Sequence, residues 1–239
     1  MKKILFSALL VLASLPAFAQ LNVQMHYDFA KALYGSELDN RPRWTATIEN
    51  FKADKWGSTY FFVDGNFADN TLESAYAEFA REFRFWEAPL AVHVEYNGGL
   101  SGNGSYNDAY LAGGAWNWAN KDFSKTFSLQ LLYKYLARQQ VGSKHSWQVT
   151  TVWGIHFANG LCTFSGYADL WHDGSVKGNL MLSSEPQFWF NLAALDSVDD
   201  DFKLSLGAEL ELSKGLVWPT DGMNDRFYAI PTLAAKWTF

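Results

Sequence analysis

Cysteine is almost absent: Cys162 stands alone among 239 residues, so no intrachain disulfide can form and neither a thiolate cluster nor a redox pair is available. Charge is sparse too, at 18% of residues, and it leans acidic. The formal charge is −6 over the whole chain, and loss of Lys2 and Lys3 with a leader makes it −8, so nothing attracts nucleic acid or an anionic surface. No linker, low-complexity tract or composition break divides the chain. The apolar stretch from Ile4 to Leu15 is short of the ~20 residues that a membrane-spanning helix requires. It follows Lys2 and Lys3 and precedes Pro16-Ala17-Phe18-Ala19, which reads as a secretory signal peptide over residues 1–19, cleaved after Ala19. Residues 20–239 remain as one domain, of a length that all-β barrels commonly reach undivided.

Aromatic residues are abundant: 11 Trp, 11 Tyr and 19 Phe, an excess that suits the interfacial girdles of a membrane protein. Strand phase carries the stronger signal. Leu21, Val23, Met25, Tyr27 and Phe29 alternate with Asn22, Gln24, His26 and Asp28, and side chains two apart share a face of a strand. Alternation of the same kind runs through Trp147 to Phe157 and Leu204 to Leu212. Weaker forms predict strands near Trp44–Phe51, Gly57–Asn66, Ser74–Phe85, Leu90–Asn97, Asp108–Trp118, Thr126–Leu136, Leu161–His172, Pro186–Leu195 and Phe227–Phe239. These segments match the ~9–11 residues needed to cross a bilayer at a tilt. Longer loops, such as Ala30–Arg43, Asp173–Glu185 and Lys214–Arg226, are expected to alternate with shorter turns, as on the outer and periplasmic sides of a bacterial barrel.

The expected fold is therefore all-β: a closed antiparallel transmembrane β-barrel of 12 strands with both termini periplasmic. Closure follows because each backbone N–H or C=O left unpaired in hydrocarbon costs several kcal/mol, and only a closed sheet has no edges. One residue resists the pattern: parity puts Arg81 on the face of Ala77, Phe79 and Phe83. An arginine facing lipid at the midplane would cost about 2–4 kcal/mol, so a bulge or a position near the periplasmic rim is expected.

If the apolar face meets lipid, the opposite parity lines the lumen. The candidate lining and solute-binding residues are Glu49, Phe51, Tyr60, Phe62, Asp64, Glu78, Glu82, Tyr167, Asp169, Trp171 and Trp189. Basic inward candidates are fewer, chiefly Arg84, Lys134, Lys203 and Lys236. A water-filled path of this kind disfavours anions and tolerates neutral or cationic solutes. Stacking on a ring contributes on the order of 1–3 kcal/mol per base, so two stacks with hydrogen bonds reach the ~4 kcal/mol of a millimolar site. The alternative is that these carboxylates pair with lumenal bases as a structural filling.

Three segments carry a family likeness: Asp54-Lys55-Trp56-Gly57-Ser58-Thr59-Tyr60-Phe61-Phe62-Val63-Asp64, Glu78 to Phe83, and Tyr167-Ala168-Asp169-Leu170-Trp171-His172-Asp173-Gly174. With the strand plan, the chain resembles the nucleoside-specific, channel-forming Tsx-like porins and their relatives of the DUF5020 type. The resemblance implies a monomeric outer-membrane barrel with a narrow pore for nucleosides, lined at Glu49, Tyr60, Phe62, Asp64, Glu78 and Trp171. The outer loops do not match the family recognisably. The final strand ends in Phe239, which resembles the signal read by the barrel-assembly machinery, an expected partner beside outer-membrane lipid.

Two other classes compete. A lipid-modifying enzyme needs a nucleophile and its base, but His26, His93, His145, His156 and His172 are scattered and no Ser-His-acid set has a recognisable spacing. His172 with Asp173 and Asp169 lacks a second histidine at a metal-ligand spacing, so no catalytic residue, metal or cofactor is expected. A plugged barrel that binds a partner through its loops is the other alternative, with Trp218 and Pro219 as a contact tip.

Overall fold

The computed structural model describes residues 21–68, 71–102, 104–106, 108–175, 179–222 and 225–239. The expected leader and its cleavage site lie outside these residues. Twelve wall strands run in chain order: β1 (Asn22–Asp28), β2 (Trp44–Asp54), β3 (Gly57–Ala68), β4 (Thr71–Phe83), β5 (Leu90–Ser101), β6 (Ala109–Ala119), β7 (Lys125–Leu136), β8 (His145–Phe157), β9 (Cys162–His172), β10 (Leu180–Ser184 continued by Gln187–Asn191), β11 (Leu204–Lys214) and β12 (Phe227–Thr238). Each pairs antiparallel with its chain neighbours, and β1 pairs with β12 from Asn22↔Thr238 to Asp28↔Thr232. The sheet is thereby a closed barrel. An 11-residue strand such as β2, tilted about 45°, rises about 26 Å, close to the ~25 Å apolar band of an outer-membrane barrel.

Directly opposed residues share a face, so the register fixes which side each side chain takes. Phe79, Val94, Tyr110, Leu131, Phe188, Leu206 and Leu233 point outward and are exposed. Among the described strand residues, outward-pointing charges keep to the strand ends: Lys52, Asp54, Arg81 and Lys125 near the end that carries the two chain termini, and Glu73 and Lys214 near the other. Arg81 meets the expectation of a rim position and not that of a bulge, because the β3–β4 register shifts only between Asn66 and Phe67. Its guanidinium makes two bonds to Asp54, of 2.7 and 2.9 Å, and a third to Thr59 at 2.8 Å. Near an interface an outward arginine costs only about 0–1 kcal/mol.

The tenth strand differs from the expectation. It begins at Leu180 rather than Pro186, and Leu192–Ala194 forms a 3-10 turn rather than strand. Pro186 has no N–H to give to the ladder, yet register carries straight through: Ser184 and Gln187 face Ala168 and Ser165 on one side and Leu212 and Glu209 on the other. Gly166 makes this possible, since a Cβ there would lie 2.5 Å from the Glu185 carbonyl oxygen. The expected alternation of loop lengths is also imperfect, as β3 and β4 are joined through residues 69–70 alone while the opposite end carries residues 192–203.

The loop 29–43 holds structure of its own. Past β1 the chain turns inward as a short helix α1 (Ala30–Tyr34) and a 3-10 turn over Gly35–Leu38. Ala30 and Leu38 bury against Val217, Tyr228 and Ile230. Tyr228 and Ile230 face inward, so this segment sits inside the mouth opposite the chain termini. The Tyr34 hydroxyl accepts from the Ala229 N–H at 3.0 Å and donates to its carbonyl at 3.2 Å.

Candidate functional site

The interior is built from the polar parity of every strand. All eleven sequence candidates fall on the inner face, but in different settings. Glu49, Phe62 and Glu78 stand opposite one another across β2, β3 and β4. The next inner row toward the mouth opposes Thr47, Asp64 and Tyr76. Tyr60 lies one row nearer the termini. Three rings thus form a continuous run, with centroids 6.1 Å apart for Tyr60–Phe62 and 6.0 Å for Phe62–Tyr76, and it extends to Tyr106 at 6.3 Å. Carboxylates interleave with the rings: Tyr76 donates to Glu78 at 2.7 Å, and Thr47 donates to Asp64 at 2.5 Å.

Asp169 and Tyr167 stand on β9, across the lumen from this run. β4 and β9 lie five strands apart in the closed sheet, so Asp169 and Glu78 stand on facing walls. The Asp169 Oδ1 is buried without a hydrogen-bond partner. Tyr167 and Ser183 hydroxyls meet at 3.1 Å. Glu82 and Phe51 sit near the termini end. Glu82 accepts from Asn117 at 2.6 Å and lies 3.4 Å from His93, which reaches Glu95 at 2.9 Å. Phe51 is 41% exposed at the opening.

The two tryptophans are covered. Trp171 is 9% exposed, with the Lys134 Nζ 4.2 Å above its ring. Trp189 is fully buried, with the Lys236 Nζ 4.0 Å above it and the His26 ring edge-on at 6.1 Å. It lies flat because Gly207 faces it; a Cβ on Gly207 would come within 2.5 Å of the indole. The inward lysines therefore rest on rings, and Lys134 also donates to Gln148 at 2.7 Å.

Near the mouth, Arg41 from the inturned loop donates at 2.7 Å to Asp28 and also binds Glu211. Burial opposes the Arg41 charge, yet Glu211 and Asp28 outweigh it and push its pKa above the ordinary arginine value. Glu37 accepts from Tyr228 at 2.7 Å and Arg226 at 2.6 Å, and those bonds hold its pKa below the usual glutamate value.

Sequence reasoning left out Glu185, Arg41, Tyr76 and His93. Glu185 faces Tyr167 in the unbroken register, and the alternation of Leu180 and Leu182 with Met181 and Ser183 would have placed it on the wall. Tyr76 shares the parity of Glu78. Arg41 comes from a loop, where no period signals its direction. Among the described residues no group of three or more His, Cys, Asp or Glu side chains could hold a metal ion. His26 has Thr232 at 3.1 Å and Glu209 at 3.8 Å on Nδ1, and the amide oxygen of Gln24 at 2.9 Å on Nε2.

No curated protein matches the chain. Among solved structures, the barrel is similar to the NanC porin, at 14% identity and a TM-score of 0.57 over 92% of this chain and 100% of that one. It is also similar to the KdgM porin, at 8% identity and a TM-score of 0.50 over 92% and 99%. Such identities show a shared fold. Residues 19–239 match the family described as Domain of unknown function (DUF5020), and the chain belongs to that family.

Proposed function

We propose that this barrel is a diffusion channel of a bacterial outer membrane, with both chain ends periplasmic, that passes small flat solutes, nucleosides foremost. The observation that carries the reading is the contrast between faces: apolar and aromatic outside, carboxylates interleaved with rings inside. An outer face of that kind suits acyl chains, and an inner one suits a hydrated solute with a planar ring. Glu49, Tyr60, Phe62, Asp64 and Glu78 would touch the solute, with Tyr167 and Asp169 opposite and Phe51 and Glu82 toward the periplasmic opening. Trp171 would act from beneath its lysine, and the fully buried Trp189 would hold the wall behind the path. The likeness in fold to two porins supports transport over catalysis.

Liposome swelling tests the proposal: nucleosides should enter faster than sugars of similar mass. Equal rates would remove the nucleoside preference, and no entry of either would remove the channel. The folded segment Ala30–Leu38 inside the mouth favours a second reading, a closed barrel whose loops bind a partner. Deleting residues 30–38 separates the two, because a barrel closed only by this segment gains permeability while a working channel already has it.

A further inference from the structure

The inner wall holds more carboxylates than it neutralises. Asp28 and Glu211 share Arg41, and Glu82 and Glu95 share His93. Among the described residues, Asp64, Glu78 and Asp169 have no basic side chain within ion-pair distance. Acidity alone says little, since carboxylates in a wet lumen can be screened or protonated. The rings add the information. Both lumenal lysines place their ammonium groups over aromatic faces, at 4.2 Å on Trp171 and 4.0 Å on Trp189, the geometry in which a cation is drawn to the ring quadrupole. The run Tyr60–Phe62–Tyr76 offers the same kind of face beside Asp64 and Glu78. No cation of the described chain lies over it. Asp169, with its buried Oδ1 free of a hydrogen-bond partner, stands on the opposite wall.

We propose that Tyr60, Phe62 and Tyr76 with Asp64 and Glu78 form a station for organic ammonium cations, so that the channel favours a solute bearing a protonated amine on a flat or alkyl body. The proposal rests on the channel reading and adds organic cations to its solutes. The ammonium meets ring face and carboxylate together, and the body of the solute lies along the ring run. An anion of the same shape meets only repulsion, and a neutral alcohol loses the cation–ring and charge contributions.

Three probes of one shape decide it: phenethylammonium, 2-phenylethanol and phenylacetate, added to single channels in a planar bilayer. Phenethylammonium should interrupt the current at concentrations ~10-fold lower than 2-phenylethanol, and phenylacetate should be the weakest. Phe62→Ala and Glu78→Gln should each remove most of that preference while the barrel keeps its native circular dichroism. Equal potency of the amine and the alcohol, or a preference unchanged in both variants, would overturn the station while leaving the channel intact. If the protein conducts no current, calorimetric titration of the refolded barrel in detergent takes over. Preferential phenethylammonium binding would then keep the station without the channel, and its absence would end both.

Discussion

The two sides of the lumen treat their charges differently. On the side formed by β10, β11, β12 and β1, charged groups are held by other parts of the chain: Lys236 lies on Trp189, and Arg41 joins Asp28 to Glu211. On the β3–β4 side, Asp64 and Glu78 are held by a threonine and a tyrosine hydroxyl, and the rings beside them are only half-buried. A polar interior can serve as internal scaffolding or as a lining for a guest, and the difference lies in whether its charges already have opposite partners. The first side is largely filled in this sense, although Glu185 on its inner face forms no ion pair among the described residues. The second has capacity left.

Substitutions sharpen the comparison. Trp189→Ala should have the largest effect, about 3–5 kcal/mol of stability, because the indole is fully buried and its Nε1 donates to Gln187 at 3.0 Å. Urea unfolding in detergent micelles measures it. Nucleoside block of the surviving channel should change less than about twofold, an energy under ~0.5 kcal/mol; a larger change would break the division of labour between the sides. Arg41→Ala should cost somewhat less, about 3 kcal/mol, since it strands two carboxylates but leaves them access to lumenal water. Adding Asp28→Asn and Glu211→Gln should recover most of that loss in the same titration. A triple variant no more stable than the single one would mean that Arg41 contributes through packing rather than charge.

Phe62→Ala should act in the reverse sense. It removes one stacking face, on the order of 1–3 kcal/mol, so nucleoside affinity read from current block should fall roughly tenfold or more while small-ion conductance stays the same or rises. If conductance and affinity fell together, Phe62 would be a wall support like Trp189, and the contrast between the sides would disappear.

The period-two pattern of a two-faced wall is strong enough to reveal most of the barrel in the amino-acid sequence, because an outward residue in lipid and an inward one in water obey opposite rules. Arg81 shows the limit of that signal. Its parity was legible, while its harmlessness depends on Asp54 across the rim at 2.7 Å. Pro186 hid the first half of β10, since a proline normally argues against a central strand, and the relief that Gly166 gives it is a property of the neighbouring strand. For the candidate site, parity found Glu49, Phe62 and Glu78. It could not distinguish Phe62, over which no lysine or arginine of the described chain lies, from Trp189, whose face is taken by a lysine 47 residues away in the chain and brought near only by closure of the barrel.

The smallest expected effect concerns the inturned loop. Its outer attachment runs through Glu37, which accepts from Tyr228 and Arg226. Those partners lower its pKa from 4.5, so the carboxylate is more readily charged in the folded protein than free in water. A group shifted down in this way adds stability above its free pKa, and the contribution is lost as pH falls through the folded value. The attachment is therefore complete at neutral pH and weakens under acid, from just below 4.5 downward. Protease nicking of residues 29–43 in the micelle-embedded barrel should quicken modestly on acidification to about pH 3. Glu37→Gln should nick at the faster rate at neutral pH and respond less to acid. Arg41 ties the same loop to Asp28 and Glu211 farther inside, so acid should loosen the outer turn before the segment leaves the mouth. If the loop were released entirely in one step, the inner anchor would not be independent of Glu37, and this side of the lumen would be a single cooperative unit.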